Sequence, residues 1–369
     1  MRNEVVQFDA VGRDDAAMFA IEELHLRDWK PRAQLRTTST DVPVPAVPCI
    51  DAHNHLGRWL SEDGDWIVRD VHALLSMMEA RQVETIVNLD GLAGAELEAN
   101  LDRLDRAHPG RFLTFCQLDW SMLASGDGSR GLLDQLEDCA RHGARGVKVW
   151  KTLGLNYRDG SGALVYPDDP RVVEVLGRAG ELGLPVLIHT ADPIAFFEPL
   201  DEHNERLDEL AGEPDWWFGD RERYPSFDAL LDAHARLVLA CPQTTFVGAH
   251  FGCCAEDLDR VGRLLDAAPN YHIDIAGRMA ELGRQPRHAA AFITAHADRV
   301  LFGTDIYPVS DEQYRLHFRF LESADEGFDY APDADIPPQG RWTVSGLALP
   351  TDVLVQVYAG NARRVLGVG

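Results

Sequence analysis

Several features are scarce or missing in this sequence, and each absence excludes a class of protein. No apolar run is long enough to cross a bilayer. The first residues, MRNEVVQFDAVGRDDAA, lack the basic cluster and apolar stretch of an export signal. Basic residues are few, with Lys+Arg 35 against Asp+Glu 60 and a net charge of −25. A chain this acidic repels phosphate backbones and anionic lipid heads, so we expect neither nucleic acid nor a membrane as a partner.

The cysteines show no CxxC pair and no regular spacing. Most of them lie inside apolar runs, where a reduced cysteine behaves as a small hydrophobic residue. Free thiols of this kind are typical of a reducing compartment, so we expect a cytoplasmic protein. The six are Cys49, Cys116, Cys139, Cys241, Cys253 and Cys254.

The strongest pattern is an alternation of short β-rich runs with amphipathic stretches of helical spacing. Eight such alternations predict parallel strands, and eight parallel strands close naturally into an α/β barrel, the (β/α)8 TIM barrel. An open doubly wound sheet is the alternative, but no glycine-rich dinucleotide loop follows the first run. The runs are CIDAHNHL, VETIVNL, RFLTFCQL, RGVKVW, LPVLIHT, TTFVGAHF, NYHIDIA and RVLFGTD.

Three segments fall outside this repeat. Residues 1–48 contain one predicted helix, Asp14 to Trp29, followed by a proline-rich extended arm that we expect to pack on the barrel of residues 49–369. A long insertion after strand five lies between Asp192 and Cys241. Near the end, a long surface loop precedes a final helix, TDVLVQVYAGNARRVLG. Long insertions after barrel strands tend to cover the functional end.

Polar side chains interrupt the ends of several apolar runs. His53 and His55 lie on the same face of strand one, because side chains alternate along a strand. His189, His250 and Asp305 close strands five, six and eight. Any one of them is more simply a hydrogen-bonded core residue. Because the carboxyl ends of all strands meet at one end of a barrel, the set together predicts a metal site.

Lys148 interrupts the fourth run, GVKVW. Its ammonium group could pair with Asp305 or another carboxylate. Alternatively, carbon dioxide carboxylates the lysine, which then bridges two metal ions. Burial beside cations favours the neutral amine that this modification needs.

These residues together resemble the amidohydrolase superfamily. The closing Asn361-Ala362-Arg363-Arg364-Val365-Leu366 is similar to the end of its amidohydrolase-related branch, which includes decarboxylases of aromatic and amino-muconate acids and lactone hydrolases. The resemblance spans residues 49–367. It implies a divalent metal, with zinc as first choice and manganese, iron or cobalt as alternatives, at one or two ions per chain.

The resemblance also implies roles for the residues. The metal ligands would be His53, His55, Lys148, His189, His250 and Asp305. Asp305 would also move protons, and His250 would bind a second metal or polarise the substrate. Hydrolysis by metal-activated water is the favoured reaction, because known decarboxylases of this branch lack the lysine matched by Lys148. Decarboxylation of an aromatic or unsaturated acid is the alternative, and a metal-stabilised binding protein without turnover is a third reading.

Substrate-contacting candidates rest on position alone. Arg58 and Arg278 follow strands one and seven, and either guanidinium could bind a carboxylate of a small-molecule substrate with two hydrogen bonds. Trp150, Lys151 and Asn204 follow strand four or lie in the long insertion. Dimers are the commonest assembly of soluble oligomers, so a homodimer is an expectation.

Overall fold

The computed structural model describes residues 24–25, 29, 34–332, 334 and 336–368. It divides the chain into two units, residues 1–37 and residues 38–369. The helix predicted over Asp14–Trp29 falls almost entirely outside the described residues, so that helix and the packing of the arm's first part remain predictions.

Eight short strands form the centre of the second unit. They pair in the orders β1-β2-β3 and β4-β5-β6-β7-β8, and every pair is parallel. The strands are β1 Cys49–Asn54, β2 Val83–Asn88, β3 Phe112–Thr114, β4 Val147–Val149, β5 Val186–Ile188, β6 Phe246–Gly248, β7 Tyr271–Asp274 and β8 Val300–Leu301.

Backbone hydrogen bonds join the two sheets at both of their edges. Beside β3 and β4, Cys116 donates its N–H to the carbonyl of Gly146 at 2.9 Å, and Lys148 donates to the carbonyl of Cys116 at 2.7 Å. Beside β8 and β1, Ala52 donates to the carbonyl of Phe302 at 3.0 Å. The strands therefore form the (β/α)8 barrel that the sequence predicts.

Helices follow the strands as the periodicity predicts, and side chains cap the first turns of five of the eight given below. For example, Asp169 accepts a hydrogen bond from the N–H of Arg171, and Pro170 occupies the first helical position, where no N–H is needed. The helices between strands are Val71–Ala80, Ala95–Leu101, Gly128–His142, Pro170–Glu181, Phe227–Ala240, Leu258–Ala267 and Pro286–Ala295; Asp311–Glu322 follows β8.

The last helical region closes the barrel end opposite the site described below. It runs as Thr351–Val355, a π-helical turn Gln356–Gly360, and Asn361–Leu366. The amide of Asn361 donates to the carbonyls of Ala297 and Val300, both at 2.7 Å, where β8 begins. Side chains of this region join a buried cluster with strand residues, including Ile50, Ala52, Val87, Leu187, Val247 and Leu301.

The predicted insertion after β5 contains its own short elements. These are the 3-10 turn Ile194–Phe197, the helix Leu207–Gly212 and the 3-10 turn Pro214–Trp216. The helix Phe227–Ala240, inside the predicted insertion, belongs to the barrel repeat. Arg206 is 1% exposed and pairs with Glu281 and Glu209, which ties the insertion to the segment after β7.

The segment before β1 lies against residues near the end of the helix Asp311–Glu322. The backbone N–H and hydroxyl of Thr40 donate to the Asp325 carboxylate at 2.6 and 2.8 Å, and the N–H of Ala46 donates to Glu322 at 2.9 Å.

All six cysteines are unpaired and buried. Among the described residues, no helix has both the length and the apolar character needed to cross a membrane.

Candidate active site

The polar residues singled out in the sequence meet at the carboxyl ends of the strands. Oδ1 of Asp305 lies 3.5 Å from Nε2 of His55 and 3.8 Å from Nε2 of His53. Its Oδ2 lies 4.0 Å from Nε2 of His250. Nζ of Lys148 lies 3.3 Å from Nε2 of His53. Three imidazoles therefore face one carboxylate, with a buried amine beside them.

Several of these residues lie just beyond the strands instead of within them. The sequence places His189, His250 and Asp305 at strand ends, but β5, β6 and β8 end at Ile188, Gly248 and Leu301. His250 and Asp305 have φ angles of 55° and 56°, a left-handed conformation that costs non-glycine residues energy. The N–H of His250 donates to Asp274 Oδ1 at 2.8 Å instead of to a neighbouring strand.

Each of the four site histidines has one ring nitrogen bound to an oxygen acceptor. Nδ1 of His53 lies 2.8 Å from Oδ2 of Asp274, and Nδ1 of His55 lies 2.5 Å from Oδ1 of Asp90. Because an oxygen acceptor fixes the proton on the nitrogen that faces it, the second nitrogen of each ring keeps its lone pair.

The other two rings follow the same rule. Nδ1 of His250 lies 2.9 Å from the carbonyl of Ala276, and Nε2 of His189 lies 3.2 Å from Oδ1 of Asp192. The ring centroids of His189 and His250 are 4.4 Å apart. The four imidazoles are thus oriented before any ligand is bound.

Three polar atoms in this cluster are buried without a hydrogen-bond partner among the described residues. They are Nε2 of His55, Nδ1 of His189 and Oδ1 of Asp305. Leaving such atoms unpaired is costly unless a ligand satisfies them. Nitrogen and carboxylate donors in this number suit a divalent transition metal. One ligand atom each from His53, His250 and Asp305 lies within 4.8 Å of the others, so the residues fit a metal.

Burial sets the protonation of the site. Desolvation lowers the pKa of His53 and His250 well below the ordinary value and lowers the pKa of His189 to about 3. It raises the pKa of Asp305. Burial also lowers the pKa of Lys148 to about 8, against the attraction of nearby carboxylates. Neutral imidazoles with free lone pairs are the form that binds metal.

A cavity of about 740 Å³ opens onto this cluster. Of the substrate-contacting candidates, Trp150, Lys151 and Arg278 line it, whereas Arg58 and Asn204 do not. Its wall also includes His189, Asp192, Phe196, Arg206, Trp216, His250, Asp305, Tyr307 and Gln339. Lys148 borders a second cavity of about 490 Å³, which shares only Trp150 with the first.

The remaining candidates have partners that explain their positions. Arg58 binds Glu96 through two hydrogen bonds of 3.0 and 2.7 Å. The amide of Asn204 donates to the backbone carbonyls of Ala195 and Pro199. Lys151 follows the end of β4, and its Nζ binds Oδ2 of Asp192 at 2.5 Å. Substrate contact by Arg58 or Asn204 finds no support in this geometry.

Two site residues were missed in the sequence. Asp90 and Asp192 follow β2 and β5 and orient His55 and His189. The signal was present, because both are acidic residues within four positions of the end of a buried strand, as Asp305 is. Asp274, at the end of β7, orients His53 in the same way. Asp51 binds backbone and hydroxyl groups and no imidazole ring.

Comparison with known proteins agrees with the fold. A model of the amidohydrolase family matches residues 50–368. The chain therefore belongs to the amidohydrolase family and is an enzyme, as the resemblance implied. No curated protein matches the chain.

Solved structures with the same fold have low sequence identity. A 2,6-dihydroxybenzoate decarboxylase from Rhizobium is 18% identical, with a TM-score of 0.50, over 87% of this chain and 99% of its own. An amidohydrolase from Burkholderia multivorans with bound zinc is 14% identical, with a TM-score of 0.52, over 88% and 100%. A dihydroxybenzoic acid decarboxylase from Polaromonas sp. JS666, with manganese and 2-nitroresorcinol, is 14% identical, with a TM-score of 0.50, over 87% and 97%.

Proposed function

We propose that this enzyme is a metal-dependent hydrolase that opens an amide, lactone or related bond of a small, carboxylate-bearing substrate. The observation that carries the proposal is the arrangement around Asp305. Imidazole rings, each already oriented by an oxygen acceptor, turn their free nitrogens toward a carboxylate oxygen that has no partner among the described residues.

His53, His55, His189, His250 and Asp305 would hold the metal, and Lys148 in carboxylated form would bridge a second ion. A bound divalent ion would supply hydroxide at neutral pH by lowering the pKa of water to about 7. Zinc is the first choice, since imidazole and carboxylate ligands suit it. Manganese, iron or cobalt, and one or two ions per chain, are within the same proposal.

Asp305 is the proton carrier in this scheme. Its Oδ1 has no hydrogen-bond partner among the described residues, so it can accept the proton of the attacking water. The same carboxyl then donates the proton to the leaving group.

His250 is better suited to hold metal than to polarise a carbonyl. Its Nδ1–H donates to the carbonyl of Ala276, which leaves a lone pair and no proton on Nε2. Burial lowers its pKa well below the ordinary value, so the ring stays neutral and cannot offer a second N–H to substrate. Of the two roles considered for His250, metal ligand and substrate-polarising group, these observations support the metal ligand.

Lys148 is the residue that favours hydrolysis over decarboxylation. Its side chain is fully buried, and its Nζ lies 3.3 Å from Nε2 of His53. A neutral amine there can add carbon dioxide, forming an N-carboxylate and releasing one proton. The second candidate function, decarboxylation of an aromatic or unsaturated acid with one ion and unmodified lysine, draws support from the decarboxylases among the similar structures.

The experiment compares wild type, Asp305→Asn and Asp105→Asn. Asp105 lies outside the site and serves as the control. Its carboxylate accepts hydrogen bonds from the N–H and the hydroxyl of Thr114 at 2.9 and 2.6 Å. A panel of lactones and amides carrying a carboxylate is assayed for acid release, and aromatic acids are assayed for carbon dioxide release. We expect hydrolysis that a chelator abolishes and that falls roughly 10²- to 10⁴-fold in D305N, but not in D105N.

Metal analysis separates the two candidate functions. Two ions per chain in wild type and fewer in Lys148→Met would support hydrolysis with a bridging lysine. One ion in both proteins, together with carbon dioxide release, would establish the decarboxylase instead. Full metal occupancy in a His53→Ala, His55→Ala double variant would contradict the site itself.

A cytoplasmic location belongs to the same proposal and is supported by the six unpaired, buried cysteines. The expected homodimer stays a prediction, to be measured by light scattering.

A further inference from the structure

Arg278 lies in the wall of the active-site cavity, and its guanidinium forms no close ion pair among the described residues. The residue is 7% exposed, and its guanidinium makes one hydrogen bond, from Nη1 to the carbonyl of Gly277 at 2.8 Å. Among the residues that the structure describes, no carboxylate lies within 4.0 Å of it. Glu281, Glu256 and Asp192 attract this cation from beyond 4.0 Å, but none of them forms an ion pair with it. A buried guanidinium whose remaining N–H groups lack an anion at hydrogen-bond distance is stabilised by a ligand that supplies one.

The other cations of the cavity wall are already neutralised. Lys151 binds Asp192 at 2.5 Å. Arg206 binds Glu281 and also Glu209, the latter at 2.8 Å. Of the lysines and arginines in this wall, Arg278 alone keeps its charge available to a ligand.

The backbone next to Arg278 touches the proposed metal site. A Cβ atom at Gly277 would lie 3.5 Å from Nδ1 of His250 and 3.8 Å from Oδ2 of Asp305. Arg278 therefore directly follows a residue that contacts the proposed metal site, and it lines the same cavity as His250 and Asp305. Aromatic side chains of Trp150, Trp216 and Tyr307 line the same cavity, and their faces suit a flat ring.

We infer that Arg278 is the residue that recognises substrate, by binding a carboxylate that is not part of the bond being broken. The substrate class is a small carboxylic acid built on a planar, unsaturated ring that also carries the lactone or amide. A guanidinium matches a carboxylate with two parallel hydrogen bonds. This inference deepens the proposed function and rests on it for the identity of the scissile bond.

The test measures binding without turnover. Benzoate and benzamide have the same shape and differ in charge, and tryptophan fluorescence of the metal-replete enzyme reports their binding because Trp150 and Trp216 line the cavity. We expect wild type to bind benzoate roughly 10- to 100-fold more tightly than benzamide. Equal affinity for the two in wild type would overturn the inference without any variant.

Variants assign the preference to the arginine. Arg278→Gln should bind both probes equally, and Arg278→Lys should keep part of the preference, because it retains the charge without the planar fork. Arg171 is paired with Asp169 at 2.7 Å. Its substitution Arg171→Met is the control and should bind the two probes as wild type does. If benzoate binds only to the metal, R278Q will still bind benzoate more tightly than benzamide. That result would refute the role of Arg278.

The two proposals can fail separately. If R278Q loses the preference for benzoate but the enzyme hydrolyses no lactone or amide, the carboxylate site is supported and the hydrolase proposal is refuted. If the enzyme hydrolyses such a substrate but R278Q keeps the preference, the hydrolase proposal is supported and the role of Arg278 is refuted.

Discussion

Asp274→Asn is the substitution that most directly probes how the site is held together. In the enzyme, Asp274 accepts the Nδ1–H of His53 through Oδ2 at 2.8 Å. Its Oδ1 accepts the backbone N–H groups of His250 at 2.8 Å and Ala276 at 3.1 Å. An asparagine has only one oxygen for these two tasks. With that oxygen on the backbone pair, its NH₂ faces Nδ1 of His53.

The consequence is a change of tautomer. Nδ1 of His53 would have to accept, so the ring proton would move to Nε2 and occupy the lone pair that faces Asp305. Loss of a group that orients a metal-binding histidine costs about 10- to 100-fold in metal affinity, or about 1.4 to 2.8 kcal/mol. The shape of the side chain is preserved, so we expect the variant to fold.

The assay is competition for zinc against a chromophoric chelator, with circular dichroism to verify folding. D105N serves as the matched control, because it also removes a carboxylate that accepts two hydrogen bonds, but touches no imidazole. A folded D274N protein whose zinc affinity stays within about threefold of wild type would show that the tautomer reasoning is wrong.

Three further predictions concern stability. Burial lowers the pKa of His234 to about 4, so the unfolded chain binds a proton at this residue more readily than the folded protein does. His234 should therefore contribute about 2 kcal/mol to the fall in unfolding free energy between pH 8 and pH 5. His234→Gln should reduce the fall measured in urea titrations by about that amount, and an unchanged fall would contradict the prediction. Arg206→Met leaves Glu281 buried and unpaired, which should lower the unfolding free energy by about 3 to 5 kcal/mol. The double variant R206M with Glu281→Gln should recover part of that loss. If it recovers none, the two residues are not energetically coupled. Gly277→Ala places a side chain at φ +63° beside His250. Calorimetry should therefore show a loss of about 1 to 2 kcal/mol in unfolding free energy. An unchanged melting temperature would show that the backbone is not strained by the substitution.

The sequence predicted the barrel well because strand and helix periods are local properties. Each of the eight apolar runs contains a strand, although β8 spans only Val300–Leu301. The runs look longer because buried residues beyond each strand end are apolar too. The histidines were found for the same reason: a charged or imidazole side chain stands out in an apolar run.

What could not be predicted depends on contacts between distant segments. The pairing of His55 with Asp90 joins residues 35 positions apart, and nothing near either residue indicates the other. The left-handed backbone at His250 was also invisible, because the letters FVGAHF fit a strand equally well. Arg58 and Arg278 looked alike in the sequence. The structure separates them, because Arg58 is paired with Glu96 and Arg278 lies in the wall of the cavity.

The turn after β6 limits how this chemistry can be moved to other proteins. His250, Phe251, Gly252 and Cys253 are four consecutive residues with φ between 55° and 66°, a mirror image of the ordinary helical turn. Grafting the single histidine onto another barrel scaffold would aim its ring elsewhere. A transplant would have to carry the whole turn together with the aspartate that caps its backbone.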